Sequence, residues 1–421
     1  MALTFLHFAD LHLGVENYGR IDAQTGQHSR IEDFSRSLET AFDFAIDEKV
    51  DLVVFAGDAY KTCDPSPTHQ RAFARQLRRL QQAAIPTVLI VGNHDTPAAF
   101  GKATSLDIFG ALELDNTYVM RKPESVTIET LHGPIQIAGL PWPTRNVLRT
   151  HAEYKDLSQQ DLGAQIQAIC AEQINEFARQ LDPNIPAILT AHIAASDATY
   201  SGSERTALIG QDPTLLTSTL ANPSFDYVAL GHIHKYQDLH KGSVPPVVYS
   251  GSLERIDFGE EHETKGFVIG SIDIEGDNPA ERTTRFEFIP VAARPFVTIE
   301  VEIDHVTSPT DQIIAAIGCR DTRDAVVRVF YTMTTATEER VDLERIRIAL
   351  ADAFYIASIQ PRIRSKDRLR RTGITEDIAL GEALQRYIEN NEHLSERKDE
   401  LLKKARELER ILELDNEETV P

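Results

Sequence analysis

Positive charge is scarce in this chain: 43 Lys and Arg stand against 65 Asp and Glu over 421 residues, a formal net charge of -22. Binding to nucleic acid draws largely on Lys and Arg paired to phosphates. A chain this acidic that acts on nucleic acid therefore needs metals and a partner to supply much of the positive field, and acidity by itself reports mostly solubility. Cysteine is scarce as well. Cys63, Cys170 and Cys319 are odd in number and far apart, which argues against a disulfide framework and for a reducing, cytoplasmic setting. No apolar run approaches the roughly 20 residues that span a bilayer. The first residues, Met1-Ala2-Leu3-Thr4-Phe5-Leu6-His7, run straight into a strand pattern without a basic and then apolar leader, so neither a membrane segment nor a signal peptide is expected. Low-complexity tracts are also missing.

What remains is the composition of a globular protein, 42% hydrophobic and 26% charged, on a chain long enough for two or three domains. Short apolar runs with little alternation at 3–9, 51–56, 87–91, 135–139, 187–190 and 227–230 read as strands covered on both faces. Helical stripes lie between several of them. Phe34, Leu38, Phe42 and Ala45 mark a helix over 32–49, Phe73, Leu77 and Leu80 one over 66–84, and Ile166, Ile169, Ile174 and Phe177 one over 162–181. Alternating strands and helices mean a layered α/β domain. Runs at 247–250, 266–274 and 285–290 are expected to be antiparallel and to finish a second sheet.

A boundary is expected near Val291-Ala292-Ala293-Arg294-Pro295, closing a first domain at 1–290. After it come a strand over 296–303, a helix over 310–317, a strand over 325–331, a helix over 343–353 and a strand over 355–361. That order suits a compact α+β domain over 294–362. A basic linker follows (363–374), and then a helical segment (375–415). In that segment Leu380, Leu384, Tyr387, Asn391, Leu394, Lys398, Leu401, Ala405, Leu408 and Leu412 recur at steps of four and three. Such a heptad-like seam asks for a partner helix; an antiparallel hairpin folded on its own body, broken near Asn390-Asn391, is the alternative.

Five short polar motifs stand where buried strands run out: Asp10-Leu11-His12, Gly57-Asp58, Gly92-Asn93-His94-Asp95, Ala191-His192 and Gly231-His232-Ile233-His234. In an open α/β sheet ligands bind beyond the carboxyl ends of the strands, so the motifs can converge on one rim, with glycines suited to the tight exits. Asp, His and a single Asn are donors for a hard-to-borderline divalent metal. Asp10, His12, Asp58, Asn93, His192, His232 and His234 are enough for two such ions. Each motif alone is weak, since a lone Asp-x-His is usually a surface pair and a lone His at a strand end is usually satisfied by a backbone carbonyl. The ordered set points to metal-dependent phosphoester hydrolysis. His7, His69, His132, His151 and His240 lack this context and are expected to be structural or solvated.

These motifs resemble the signature of calcineurin-like metallophosphoesterases. The wider runs Phe8-Ala9-Asp10-Leu11-His12-Leu13-Gly14, Ile90-Val91-Gly92-Asn93-His94-Asp95 and Tyr249-Ser250-Gly251-Ser252-Leu253-Glu254-Arg255 resemble the SbcD-type nuclease branch, the double-strand-break-repair nucleases. The resemblance covers the first 290 residues, and more loosely the α+β segment as a DNA-capping domain and the tail as ATPase-docking helices. It implies an α/β/β/α sandwich of two mixed sheets flanked by helices. It implies one metal on Asp10, His12, Asp58 and His234, a second on Asp58, Asn93, His192 and His232, a bridging Asp58, and His94 as the acid that helps the leaving oxygen depart. The mixed N/O set suits manganese, with magnesium, iron and zinc as alternatives. Many relatives carry a second catalytic His where this chain has Lys61, which leaves Lys61 either a phosphate contact or a solvated side chain. On the resemblance alone, Arg255 is expected to line the site.

The reading that follows is a nucleoid-associated DNA nuclease subunit: exonuclease on double-stranded ends and endonuclease on hairpins or single strands. It would work with an SbcC-type ATPase held by the tail, as a homodimer through helices at 66–84 and 97–112. A small-molecule or cyclic-nucleotide phosphodiesterase on the same two-metal fold is the alternative. The extra domain and tail weigh against it, because a small substrate needs neither. A non-enzymatic scaffold is disfavoured by seven filled donor positions.

Overall fold

The computed structural model describes residues 2–99, 101–144, 158–202, 213–274, 282–304, 308–334, 341–364 and 398–404. Two six-stranded sheets carry the first 290 residues. The first is built from β1 (Ala2–Phe8), β2 (Leu52–Phe55), β3 (Thr87–Ile90), β4 (Thr117–Met120), β13 (Gly266–Asp273) and β14 (Thr284–Pro290), in the order β14-β13-β1-β2-β3-β4. β1 to β4 run parallel, and β13 and β14 close one side antiparallel. The second is built from β5 (Glu124–Thr130), β6 (Gly133–Leu140), β7 (Ala187–His192), β10 (Tyr227–Gly231), β11 (Gln237–Asp238) and β12 (Val247–Tyr249), in the order β11-β12-β10-β7-β6-β5. Its middle four strands are parallel and both edges antiparallel. A two-stranded parallel pair, β8 (Ala194–Ala195) and β9 (Thr214–Leu215), lies apart from both.

Alternation along each strand sorts the side chains into three layers. Leu6, Phe8, Val53, Phe55 and Leu89 of the first sheet pack on α1 (Ser29–Asp47) and α2 (Pro67–Gln82) through Phe34, Leu38, Phe42, Phe73 and Leu77. Their neighbours Leu3, Phe5, Leu52, Val54, Val88 and Ile90 face the second sheet and meet Ile135, Ile137, Ile188, Tyr227, Ala229 and Val248. The far face of the second sheet packs on Leu162, Ile166, Ile174 and Phe177 of α4 (Gln159–Gln180). Two sheets back to back with helices outside make an α/β/β/α sandwich. Each buried Phe, Leu or Ile here contributes about 1.5–3 kcal/mol by leaving water.

Local signals explain the helix starts. Ser66 caps α2, with Pro67 in the first turn, and the Ser158 hydroxyl caps α4 by accepting the Asp161 N–H. His28, an unusual cap, accepts from the Arg30 N–H at α1. Two short helices, α3 (Asp107–Ala111) and α5 (Thr217–Leu220), complete this part.

Some strand expectations need correction. The run at 247–250 was expected to be antiparallel, but β12 runs parallel to β10 and only β11 pairs with it antiparallel. The runs at 266–274 and 285–290 are antiparallel, yet they finish the first sheet, because β13 pairs with β1. Apolar patterning signals a strand without saying which edge it joins. β4 and β5 carried too few buried positions to read as strands.

Beyond residue 290, β15 (Phe296–Glu302), α6 (Pro309–Gly318), β16 (Val326–Thr334), α7 (Leu343–Ala349) and β17 (Tyr355–Arg364) form a three-stranded sheet of order β15-β16-β17 with two helices. α7 stops at Ala349, short of the expected 353. The segment up to residue 361, apart from 333–338, belongs to the same compact unit as the sandwich. The chain at 291–295 is a fastened joint. The Arg294 guanidinium donates to Asp33 and to the Asp324 carbonyl and lies 3.5 Å from the Phe354 ring centre, while Phe258, Phe296 and Val326 share an apolar cluster with Tyr18 and Tyr355. A second unit comprises 333–338 and 362–421, where 398–404 are helical. Of the linker expected at 363–374, the first two residues end β17, and the rest, with most of the seam, from Leu380 to Leu394 and from Ala405 to Leu412, lies outside the described residues.

Candidate metal centre

Five strand ends deliver the polar motifs to one rim of the sandwich: those of β1, β2 and β3 in the first sheet and of β7 and β10 in the second. The exits of β1 and β2 are laced together, with Asp10 N–H donating to the Gly57 carbonyl (2.9 Å), His12 N–H to that of Asp58 (3.0 Å) and Leu13 N–H to that of Ala59 (2.9 Å). That lacing demands tight bends. Asp10, His12, Asp58 and His232 all hold positive φ, at 53°, 48°, 63° and 98°, a conformation costing about 1–3 kcal/mol each in non-glycine residues. Gly92 is required because a Cβ there would lie 2.0 Å from Asp58 Oδ1, and Gly231 because one would lie 2.1 Å from the Ala56 carbonyl oxygen.

All seven expected donor residues meet at this rim. Candidate donor atoms of Asp10, His12 and His234 lie within 4.8 Å of one another, as do those of Asp10, Asp58 and His192, and those of His12, Asp58 and His94. His12 Nε2 is 3.0 Å from His234 Nε2. Asp58 Oδ2 stands between two rings, 3.3 Å from His192 Nε2 and 3.7 Å from His12 Nε2, in a bridging position. Asn93 Oδ1 lies 2.9 Å from His192 Nε2 and 3.1 Å from His232 Nδ1. Asp10 accepts the His232 N–H at 2.9 Å.

The donor set fits a divalent cation. His192 Nδ1 is 2.7 Å from the Ala56 carbonyl and must donate to it, so in a neutral ring Nε2 is an acceptor. It then faces the Asn93 and Asp58 oxygens, acceptors as well, and such a cluster requires a shared positive charge. His234 repeats the arrangement, with Nδ1 2.8 Å from the buried Glu260 carboxylate and Nε2 turned to His12. Carboxylate-held imidazoles of this kind orient metal ligands and raise their basicity. Burial opposes charge on His192, but the Asp58 carboxylate outweighs it and raises that ring to about 9. Burial also resists ionisation of Asp58, yet His192 and the neighbouring imidazoles hold its carboxyl well below the ordinary range. Burial pushes Asp10 up, and burial followed by His94 drives His12 down.

His94 sits at the exposed lip. Its Nδ1 is 2.8 Å from the Lys61 carbonyl and donates to it, its N–H donates to Asp58 Oδ1 (2.8 Å), and its ring stands edge-on to His12. Lys61 is exposed and linked to the site through that carbonyl. Arg255 has other work: its guanidinium donates to the carbonyls of Glu260, Glu263, Ala293 and Arg294. The last two bonds fasten the joint after residue 290 and the first two the loop that carries Glu260, which corrects the expectation that Arg255 lines the site. The histidines set aside in the sequence are held elsewhere. Buried His7 lies 3.2 Å from both the Tyr227 hydroxyl and the Leu230 carbonyl, His132 pairs with Asp51, and His240 bonds the Pro245 carbonyl. His69 lies 3.7 Å from Glu16. His151 lies outside the described residues.

Three supporting residues escape a reading of the sequence. Asp95, within the quoted Gly-Asn-His-Asp run, accepts the N–H groups of Asp58 (2.9 Å) and Gly92 (3.1 Å) and the Ser105 hydroxyl (2.8 Å), so it clamps two motif loops together. Burial, then Asp58, raises it to about 6. Glu260 comes from a 3-10 turn (Phe258–Glu260) with no local signal, and its charge is matched by buried Lys265 at 2.9 Å. Trp142, beyond the end of β6, packs on His232 with ring centres 4.9 Å apart.

Known proteins carry similar sequences. The chain is 26% identical over 307 residues to the SbcD subunit of nuclease SbcCD from Staphylococcus epidermidis, covering 71% of this chain and 72% of that one. It is 26% identical over 297 residues to the Bacillus subtilis protein of the same name, covering 70% and 71%. Among solved structures, a dimetal phosphatase from Danio rerio (TM-score 0.36, 12% identity, 67% of this chain and 98% of that one) and TT1561 of Thermus thermophilus (TM-score 0.35, 14% identity, 68% and 99%) are similar. The profile of the calcineurin-like phosphoesterases matches residues 3–236, more than half of the chain. With that match and this rim of donors, the chain belongs to the calcineurin-like phosphoesterase family and is a metal-dependent hydrolase of phosphoester bonds.

Proposed function

We propose that the protein is a manganese-dependent DNA nuclease subunit, cutting double-stranded ends as an exonuclease and hairpins or single strands as an endonuclease. The observation that carries this is the seven-residue donor cluster at one rim, in a chain similar over about 70% of its length to two proteins named as SbcD subunits of nuclease SbcCD. Asp10, His12, Asp58 and His234 would hold one divalent ion; Asp58, Asn93, His192 and His232 would hold the other. When bound, the two ions polarise the phosphoryl group and activate water near neutral pH. The chain's own residues do the rest. Asp58 would keep both halves of the site in register, and imidazoles left neutral would let two bound divalent cations outweigh the two carboxylates, as an anionic diester needs. His94 is oriented by its Nδ1–H on the Lys61 carbonyl, and only as an imidazolium would it carry on Nε2 the proton given to the leaving oxygen.

The partner in this reading is an SbcC-type ATPase gripping the C-terminal helices, with 294–362 capping the DNA. The net charge of -22 favours such a partner, because a chain of that charge as a whole repels a phosphate backbone. A homodimer through 66–84 and 97–112 is supported by the exposed apolar side chains Ile108 and Leu112. Purified protein with manganese should cut a DNA hairpin, and Asp58→Ala should lose at least about a thousand-fold in rate, on the scale of removing a major transition-state stabiliser. Full activity of Asp58→Ala in the presence of chelator would sink the metal mechanism. Cleavage of a chromogenic phosphodiester with no cleavage of DNA, even with the ATPase added, would favour a small-molecule phosphodiesterase.

A further inference from the structure

The rim does not end at the five motifs. β4, beside β3 in the first sheet, ends at Met120 and is followed by Arg121 and Lys122; β6, beside β7 in the second, ends at Leu140 and is followed by Pro141 and Trp142. These two further exits and the loop after Asn93 line an open cavity of about 530 Å³ whose lining includes Thr96, Lys102, Asp107, Arg121, Lys122 and Trp142. That volume falls within the usual range for a small-molecule site. Trp142 is pinned by its backbone N–H on the Val91 carbonyl (2.9 Å) and packs on His232, 4.9 Å between ring centres. The cavity is thus the continuation of the metal centre.

The charge here runs against that of the molecule. In a chain of net charge -22, this wall carries three cations and one carboxylate. Asp107 is 3.7 Å from Arg121, whereas exposed Lys102 and Lys122 have no carboxylate partner among the described residues. An indole beside two unmatched ammonium groups is the combination that holds a nucleotide unit, the base stacked on the ring and the phosphate on the lysines.

We infer that this cavity is a nucleotide subsite, seating one base and its phosphate next to the scissile bond. The inference deepens the nuclease reading and rests on it for the identity of the chain that enters. The cavity's recognition of a base with a phosphate can be tested separately.

Trp142 is the single tryptophan of the chain, so its fluorescence reports the subsite directly. The measurement uses full-length protein in chelator, where no turnover occurs. Deoxyadenosine monophosphate and a short deoxyadenosine oligonucleotide should both quench the emission saturably. Lys102→Gln with Lys122→Gln should weaken that binding about ten-fold, with an unchanged thermal melt. An abasic oligonucleotide of equal length should bind about ten-fold more weakly, as loss of one stacked base predicts. Tighter binding of the oligonucleotide than of the mononucleotide identifies a strand as the occupant, and equal binding identifies a free nucleotide; either supports the subsite. Absence of quenching, quenching undiminished by the lysine substitutions, or equal binding of the abasic strand overturns it. Failure here with DNA cleavage intact removes only this inference, whereas nucleotide quenching without DNA cleavage removes only the nuclease reading.

Discussion

Glu260 shows how a residue without a motif controls one that has it. Its carboxylate receives the His234 Nδ1–H and is neutralised by Lys265, all three nearly or fully buried. Glu260→Gln keeps the shape but removes the charge that makes the ring basic, so metal affinity should fall about 10- to 100-fold. Calorimetric titration of metal into the variant checks this, and an unchanged affinity would rule out an orienting role. His7 gives a pH signature. Burial lowers it to about 3, so the folded protein keeps it neutral while the unfolded chain takes a proton below about 6.5. The unfolded state then binds more protons, and stability falls as pH drops below that value, by about 1.4 kcal/mol per pH unit from this group. His7→Gln removes the titration. Urea midpoints of the two proteins should diverge between about pH 6.5 and 5, and parallel curves would refute the assignment. That the seven polar residues gather at one rim was legible because their residue types are restricted by metal chemistry and each follows an apolar run. Glu260 and Lys265 were not, since a Glu and a Lys in a loop are ordinarily solvated. Arg255 was misread because a basic residue near a motif looks available until its carbonyl partners are known.

The strand exits are where the elements do their chemical work. Four donor-bearing residues held at positive φ are strain that only the surrounding hydrogen bonds maintain. The close approach at Gly92 is part of the same device. Gly92→Ala would push a methyl group into Asp58 Oδ1, so the β2 and β3 exits must separate. We expect a loss of about 1–3 kcal/mol in stability, as for overpacking, together with a fall in metal affinity measurable by titration. A variant that folds and binds metal like the parent would show that the loops are not held as tightly as their hydrogen bonds imply. Element existence was readable for the buried parallel strands, where both faces are apolar. Membership was not: β13 and β14 close the first sheet and β12 runs parallel, since pairing is decided by which edge is open when the layers come together.

At the scale of the molecule, the small sheet after residue 290 is bound to the sandwich through Arg294, Arg255 and the Phe258–Phe296 cluster, so it is fastened to its neighbour rather than tethered by a free linker. The C-terminal tail carries the other expectation. Truncation after Arg371 should leave metal binding intact and abolish co-purification with the proposed ATPase partner; a complex that survives truncation would show that the heptad-like seam is not the docking element.

The layered α/β class and the run of metal-type residues at strand exits follow from the residues alone, because apolar periodicity and metal chemistry both restrict residue choice locally. Packing of the folded chain set the rest: two sheets lie back to back with their strand ends on one rim, Asp58 stands between two imidazole groups, Arg255 is a fastener, and Trp142 packs beside His232. Those are consequences of packing between residues tens to hundreds of positions apart, which no local pattern records.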